Sequence, residues 1–166
     1  MASCADAYKP FDEGDGEIPT AKGNPATVTD TEFEGTINNI SLVGKGWTEE
    51  QVTGMITPFL LSISGNKVYA GLTMRGQGQQ LLSPNSSNPN VVEASAEEVL
   101  EEGTESETTY TEYIKIILDD AANPTTAKVE YRLKFYCPAY AASGMSDTFT
   151  AIYEGDFRKK DTSSGS

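Results

Sequence analysis

Apolar and polar residues alternate in the C-terminal third of the chain, with the period of two that is typical of half-buried β-strands. Three segments carry this pattern: residues 129–137, residues 149–157 and, less regularly, residues 110–118. Turn-forming residues separate them, including Asp119, Asp120 and Pro138. The pattern predicts an antiparallel meander. Its apolar faces comprise Val129, Tyr131, Leu133, Phe135 and Cys137 in one strand and Phe149, Ala151, Tyr153, Gly155 and Phe157 in another.

The N-terminal half repeats the alternation. Phe33, Gly35 and Ile37 alternate with polar residues and predict a first strand. Two further apolar segments, 59–63 and 68–74, flank Gly65 and Asn66, a pair that favours a tight β-hairpin turn. We therefore expect a hairpin in this part of the chain. Its inner face would comprise Val68, Ala70, Leu72 and Met74.

Two capping boxes predict short helices between the strands. Thr48 and Gln51 have the spacing at which each side chain caps the other residue's backbone N–H, and Ser95 with Glu98 repeats it. Pro58 and Gly103 would end the two helices. The second box lies in a long polar connection at about residues 75–108, which is rich in glutamate and is either a functional lid or a disordered insertion.

These elements predict an all-β protein with two short helices, built as a calycin-like antiparallel meander that forms a β-barrel or a sandwich. The length of 166 residues fits one domain. Its predicted organisation is a flexible acidic N-terminal tether over residues 1–30 and a single β domain over 31–160 with the acidic insertion at about 75–108. A disordered tail follows at 161–166.

Composition narrows the function. The formal net charge is −13, which argues against nucleic-acid binding because phosphate repels an acidic chain. The chain contains no histidine, which excludes histidine-based catalysis and metal sites with histidine ligands. No apolar run approaches the ~18 residues of a spanning helix, so the predicted contact with a membrane is limited to a lipid anchor.

No group of residues combines a nucleophile, a base and an oxyanion donor. The acidic residues 12–17 miss the spacing of a calcium loop, and Asp119 with Asp120 is typical of a turn. We therefore predict that the chain is not an enzyme and uses no cofactor and no metal. Candidate ligand-binding residues are aromatic, and each of them can equally fill a core: Trp47, Tyr131, Phe135 and Tyr153.

The chain begins Met-Ala-Ser-Cys, which is similar to the cleavage site of bacterial lipoproteins and makes Cys4 a candidate lipidation site; an ordinary intracellular N-terminus is the alternative. Residues 33–36 (FEGT) and 149–155 (FTAIYEG) resemble the first and last strands of bacterial calycin-like, or lipocalin-like, surface lipoproteins. The resemblance implies a barrel whose first and last strands pair and an exported, periplasmic or cell-surface location. For Cys137 we expect a buried thiol.

Two functions follow as hypotheses. The first is a non-enzymatic exported or cell-surface β-barrel module, lipid-anchored through Cys4, that binds a small apolar ligand or a protein partner. The alternative is a structural assembly subunit, such as a virion tail or decoration protein or a surface filament subunit, that self-assembles through its loose ends and acidic loop.

Overall fold

The structure, a computed structural model, describes residues 18–85, 87–144 and 146–161. Cys4, most of the predicted tether and residues 162–166 lie outside the described residues. The described chain contains the helices α1 (Glu49–Gly54) and α2 (Thr73–Gly76) and a 3₁₀ helix (Pro138–Ser143). Its strands are β1 (Asn24–Pro25), β2 (Thr31–Val43), β3 (Leu61–Ser64), β4 (Lys67–Ala70), β5 (Gln79–Gln80), β6 (Leu82–Ser83), β7 (Val91–Leu100), β8 (Thr108–Leu118), β9 (Thr126–Tyr136) and β10 (Thr148–Lys159).

The strands form one antiparallel sheet in the order β1-β6-β7-β8-β9-β10-β2-β3-β4-β5. The C-terminal meander is confirmed, since β8, β9 and β10 pair in sequence. The first long strand, β2, pairs with the last, β10. The fold class is therefore confirmed as an all-β, nearly closed antiparallel barrel. Its core lies between the inward faces, where every apolar residue predicted for β9 is buried.

A short extended segment brings the two edges of the sheet together. Residues 79–80 pair with β4, and the Leu81 N–H donates to the Asn66 carbonyl over 2.9 Å. The Leu81 carbonyl accepts from the Ala26 N–H at 2.9 Å, and β6 pairs with both β1 and β7. We call the end of the barrel where this segment lies the closed end. The open end is the opposite one, where β7 and β2 end at Leu100 and Val43 and where β8, β9 and β10 meet them.

The predicted hairpin is confirmed. Gly65 and Asn66 have φ of 62° and 63°, the left-handed values that a two-residue turn between β3 and β4 requires. The second strand is shorter than predicted because Gly71 adopts φ of 72° and α2 follows. Met74 is nevertheless buried, on α2 rather than on a strand.

The first capping box is confirmed. The Gln51 N–H donates to Thr48 Oγ1 at 3.1 Å, and the Thr48 N–H donates to Gln51 Oε1 at 2.9 Å. The second box is wrong, because Ser95 and Glu98 lie in β7, which pairs with β8 from Val91 to Leu100. Strand pairing along this whole segment outweighs a four-residue helix signal that only two apolar residues follow.

The long polar connection predicted at about 75–108 also needs correction, because β5, β6 and β7 lie within it. Within the described residues, turns remain between β6 and β7 and between β7 and β8. The prediction of a flexible tether is wrong for residues 18–30, which contain β1 and the buried side chains of Ala26 and Val28. The described packed body therefore begins before residue 31.

Candidate binding site

Tyr131 and Tyr153 lie deep in the barrel, on the inward faces of β9 and β10. Both side chains are fully buried, and their ring centroids are 5.6 Å apart. The Tyr131 hydroxyl donates to Glu112 Oε1 at 2.7 Å, and the Tyr153 hydroxyl donates to the Val52 carbonyl at 2.8 Å. Burial raises the pKa of both phenols. These two candidate ligand residues thus fill the core, with their polar ends bonded to the protein.

Glu112 is a fully buried carboxylate on the inward face of β8. Besides the Tyr131 hydroxyl, Oε1 accepts from the Leu72 N–H at 3.0 Å, and Oε2 accepts from the Thr73 N–H at 2.8 Å. All three partners are donors, the arrangement that suits a carboxylate. From the sequence alone, Glu112 has no predicted role. The signal that could have identified this residue is its position among isoleucines on the apolar face of a predicted strand.

The Glu112 contacts fasten the segment that leads into α2. Gly71 sits against the Tyr131 ring, where a Cβ atom would lie 2.5 Å from Cε1. The Thr73 hydroxyl donates to Glu98 Oε1 at 2.9 Å, which ties α2 to β7. The arrangement anchors a short helix beside the core.

Trp47 and Phe135, the other two candidate residues, meet at the open end. Their ring centroids are 5.3 Å apart, and the Trp47 ring also contacts Phe149 at 4.8 Å and Tyr140 at 5.1 Å. Trp47 Nε1 donates to the Ser146 carbonyl at 3.0 Å. The cluster plugs the open end of the barrel. The structure thus separates the four candidates into an inner pair and an outer pair.

Apolar side chains are also exposed around this plug. Among the described residues, five of the seven exposed large hydrophobic side chains belong to the open end: Val43, Val99, Leu100, Tyr136 and Tyr140. Strand register places Val99 and Tyr136 on either side of Thr109, in one outward row. Tyr136 is 42% exposed. Clustered exposed apolar residues are typical of a surface that binds a partner.

The turn between β7 and β8 adds negative charge to the same end. Residues 101–107 include Glu101, Glu102, Glu105 and Glu107, and the first three are exposed. Glu107 Oε1 accepts from the Gly103 N–H at 3.0 Å, which holds the turn in shape. The open end therefore combines an apolar surface with an acidic rim.

Asp119 and Asp120 hold the turn between β8 and β9, as predicted. Asp119 Oδ1 accepts from the Thr125 and Thr126 N–H groups at 2.9 Å each, and Oδ2 accepts from the Thr125 hydroxyl. These hydrogen bonds, with that of the Thr125 hydroxyl foremost, lower the pKa of Asp119. Asp120 Oδ1 accepts from the Ala122 N–H at 3.0 Å.

Cys137 is a buried free thiol, which confirms the prediction of a buried thiol at this position.

Comparison with known proteins gives no relative: no family model, no curated protein and no solved structure matches the chain. Within the described ranges, no helix is long and apolar enough to cross a membrane.

Proposed function

We propose that the chain is a non-enzymatic, exported or cell-surface β-barrel module that binds a protein partner at its open end. The observation that carries this proposal is the concentration of exposed apolar side chains there, beside the acidic 101–107 turn. A partner with an apolar patch bordered by lysine or arginine would complement it. A small apolar ligand in the barrel is less well supported, because Tyr131 and Tyr153 fill the interior.

Calorimetric titration with a synthetic amphipathic helix, leucine on one face and lysine on the other, tests the proposal. We expect saturable binding that weakens as salt screens the acidic rim. Replacing Val99 and Tyr136 with serine removes two exposed apolar contacts and should weaken binding about tenfold. Ile117→Ser, at an exposed apolar position near the closed end, is the matched control and should leave the affinity unchanged. Equal losses in both variants would contradict the proposal.

The exported or cell-surface location in this proposal is supported by the similarity of residues 1–4 (MASC) to a lipoprotein cleavage site. Mass spectrometry of the N-terminal peptide, taken from the protein made in its own cells, tests it. A lipid attached to Cys4 through its sulfur would support an anchored surface protein. An unmodified Cys4 would contradict the anchor.

The alternative function, a structural assembly subunit, is favoured by one specific observation. One side of β2 carries a long stretch of backbone without a strand partner among the described residues.

A further inference from the structure

The second side of β2 lacks a partner over most of its length. β10 pairs with one side of β2 from Phe33 to Val43, whereas β3 reaches only Thr31–Phe33 on the other. Within the described part of the chain, residues 34–43 make no backbone hydrogen bond on that second side. Because alternate residues of a strand point their N–H and C=O groups to opposite sides, this edge presents a row of unpaired donors and acceptors.

Among the described residues, α1 makes no backbone hydrogen bond to this edge. Val52 of α1 is buried, and its carbonyl accepts from the hydroxyl of Tyr153, an inward-facing residue of β10. α1 therefore packs on the core side of the sheet. The backbone groups on this side of β2 therefore lack a partner in α1 as well as in the sheet.

The composition of the edge offers little protection against strand addition. Residues 35–43 contain no charged residue and no proline, the two residue types that usually block such pairing. The outermost strands of the sheet, β1 and β5, are only two residues long. In a chain with a net charge of −13, a stretch free of charge is the place where two copies meet with least repulsion.

The edge also matches itself. The register with β10 shifts between Glu154 and Gly155, which leaves Asn38 as an extra residue near the middle of β2. In a two-fold antiparallel arrangement centred on Asn38 and Asn39, Ile37 of one copy lies opposite Ile40 of the other. In the same register, exposed Thr36 lies opposite exposed Ser41. Partly buried apolar residues thus meet each other, and exposed polar residues meet each other.

We propose that two copies of this chain pair through residues 34–43 of β2, as antiparallel strands that join the two sheets into one. The pairing is isologous and closes at two copies. It does not require the open end to bind a partner, so each proposal can fail alone. An interface built on one strand pair is smaller than the ~1,600 Å² of a standard interface, so we expect a reversible dimer.

Sedimentation equilibrium up to about 1 mM protein tests the dimer, with a reducing agent present so that Cys4 cannot link two copies. We expect the mass to rise from one chain to two with concentration. Thr36→Lys combined with Ser41→Lys places lysines opposite each other across the two-fold axis and should weaken the dimer about tenfold. Ser64→Lys combined with Ala122→Lys changes the net charge equally at exposed positions away from the edge and should preserve the dimer.

Hydrogen exchange in the wild-type chain provides a second readout. Peptides covering residues 34–43 should exchange more slowly as concentration rises, whereas peptides from β8 should not change. A single chain at every concentration would overturn the proposal. So would a growing polymer, or a dimer that the Thr36→Lys and Ser41→Lys pair leaves intact while far-ultraviolet circular dichroism shows the variant folded.

Discussion

Glu112→Gln tests whether the three donors around this carboxylate stabilise the barrel. A glutamine carbonyl can keep both bonds of Oε1, from the Tyr131 hydroxyl and the Leu72 N–H, but its amide nitrogen would face the Thr73 N–H, which now lies 2.8 Å from Oε2. The variant loses one charge-assisted hydrogen bond, worth about 1.5–3 kcal/mol, and leaves a buried donor unpaired. The substitution also removes a buried charge, and this second effect favours the folded state.

We expect the loss of the Thr73 hydrogen bond to outweigh the gain from removing a buried charge, because the amide nitrogen cannot accept from the Thr73 N–H. The free energy of unfolding should fall by about 2 kcal/mol, which corresponds to about 4–8 °C in Tm for a chain of this size. Urea titration followed by the fluorescence of Trp47, the sole tryptophan, measures it. Glu97→Gln, at an exposed position of β7, is the control and should change the free energy by less than about 0.5 kcal/mol. A free energy of unfolding for Glu112→Gln equal to or above that of the wild type would show that the three donors do not stabilise the barrel through the carboxylate.

Three further predictions concern stability. Gly71→Ala should destabilise the chain by at least about 2 kcal/mol in urea, since Cβ would collide with the Tyr131 ring at a φ of 72°; Gly54→Ala, with open space around it, should not. Asp119→Asn should lower stability at neutral pH and make stability depend less on pH in the acid range. The lowered pKa of Asp119 gives stability that is present above the ordinary value of 3.8 and lost as pH falls. If Tm fell equally steeply with decreasing pH in both proteins, this would be contradicted. At alkaline pH, stability should fall from about pH 10 upward, because the folded state raises the pKa of several tyrosines, and a flat thermal profile would contradict it. These are Tyr110, Tyr113, Tyr131 and Tyr153.

The elements that could be predicted from sequence are those fixed by local chemistry. Alternation with a period of two identified β9 and β10 because both bury one face. The Gly65 and Asn66 pair identified the hairpin because few other residues accept its left-handed turn. The Thr48 and Gln51 cap succeeded because both of its hydrogen bonds lie within three residues.

What could not be predicted depends on pairing between distant parts of the chain. The local sequence of β7 predicts a capped helix, and pairing with β8 makes this segment a strand. Glu112 has no local partner: the N–H groups that it binds, of Leu72 and Thr73, lie 40 and 39 residues away. From the sequence, each of the four aromatic candidates could bind a ligand or fill a core, and only the packing shows that the hydroxyls of Tyr131 and Tyr153 are already bonded to the protein.

Chemical-shift mapping by NMR most directly tests the claim that the chain binds at its open end rather than inside its barrel. The isotope-labelled chain would be titrated with the leucine–lysine helix. We expect chemical-shift changes concentrated around Val99, Tyr136 and the acidic 101–107 turn. Shifts concentrated at Tyr131 and Tyr153, with the open end unchanged, would contradict it and place the binding site in the interior.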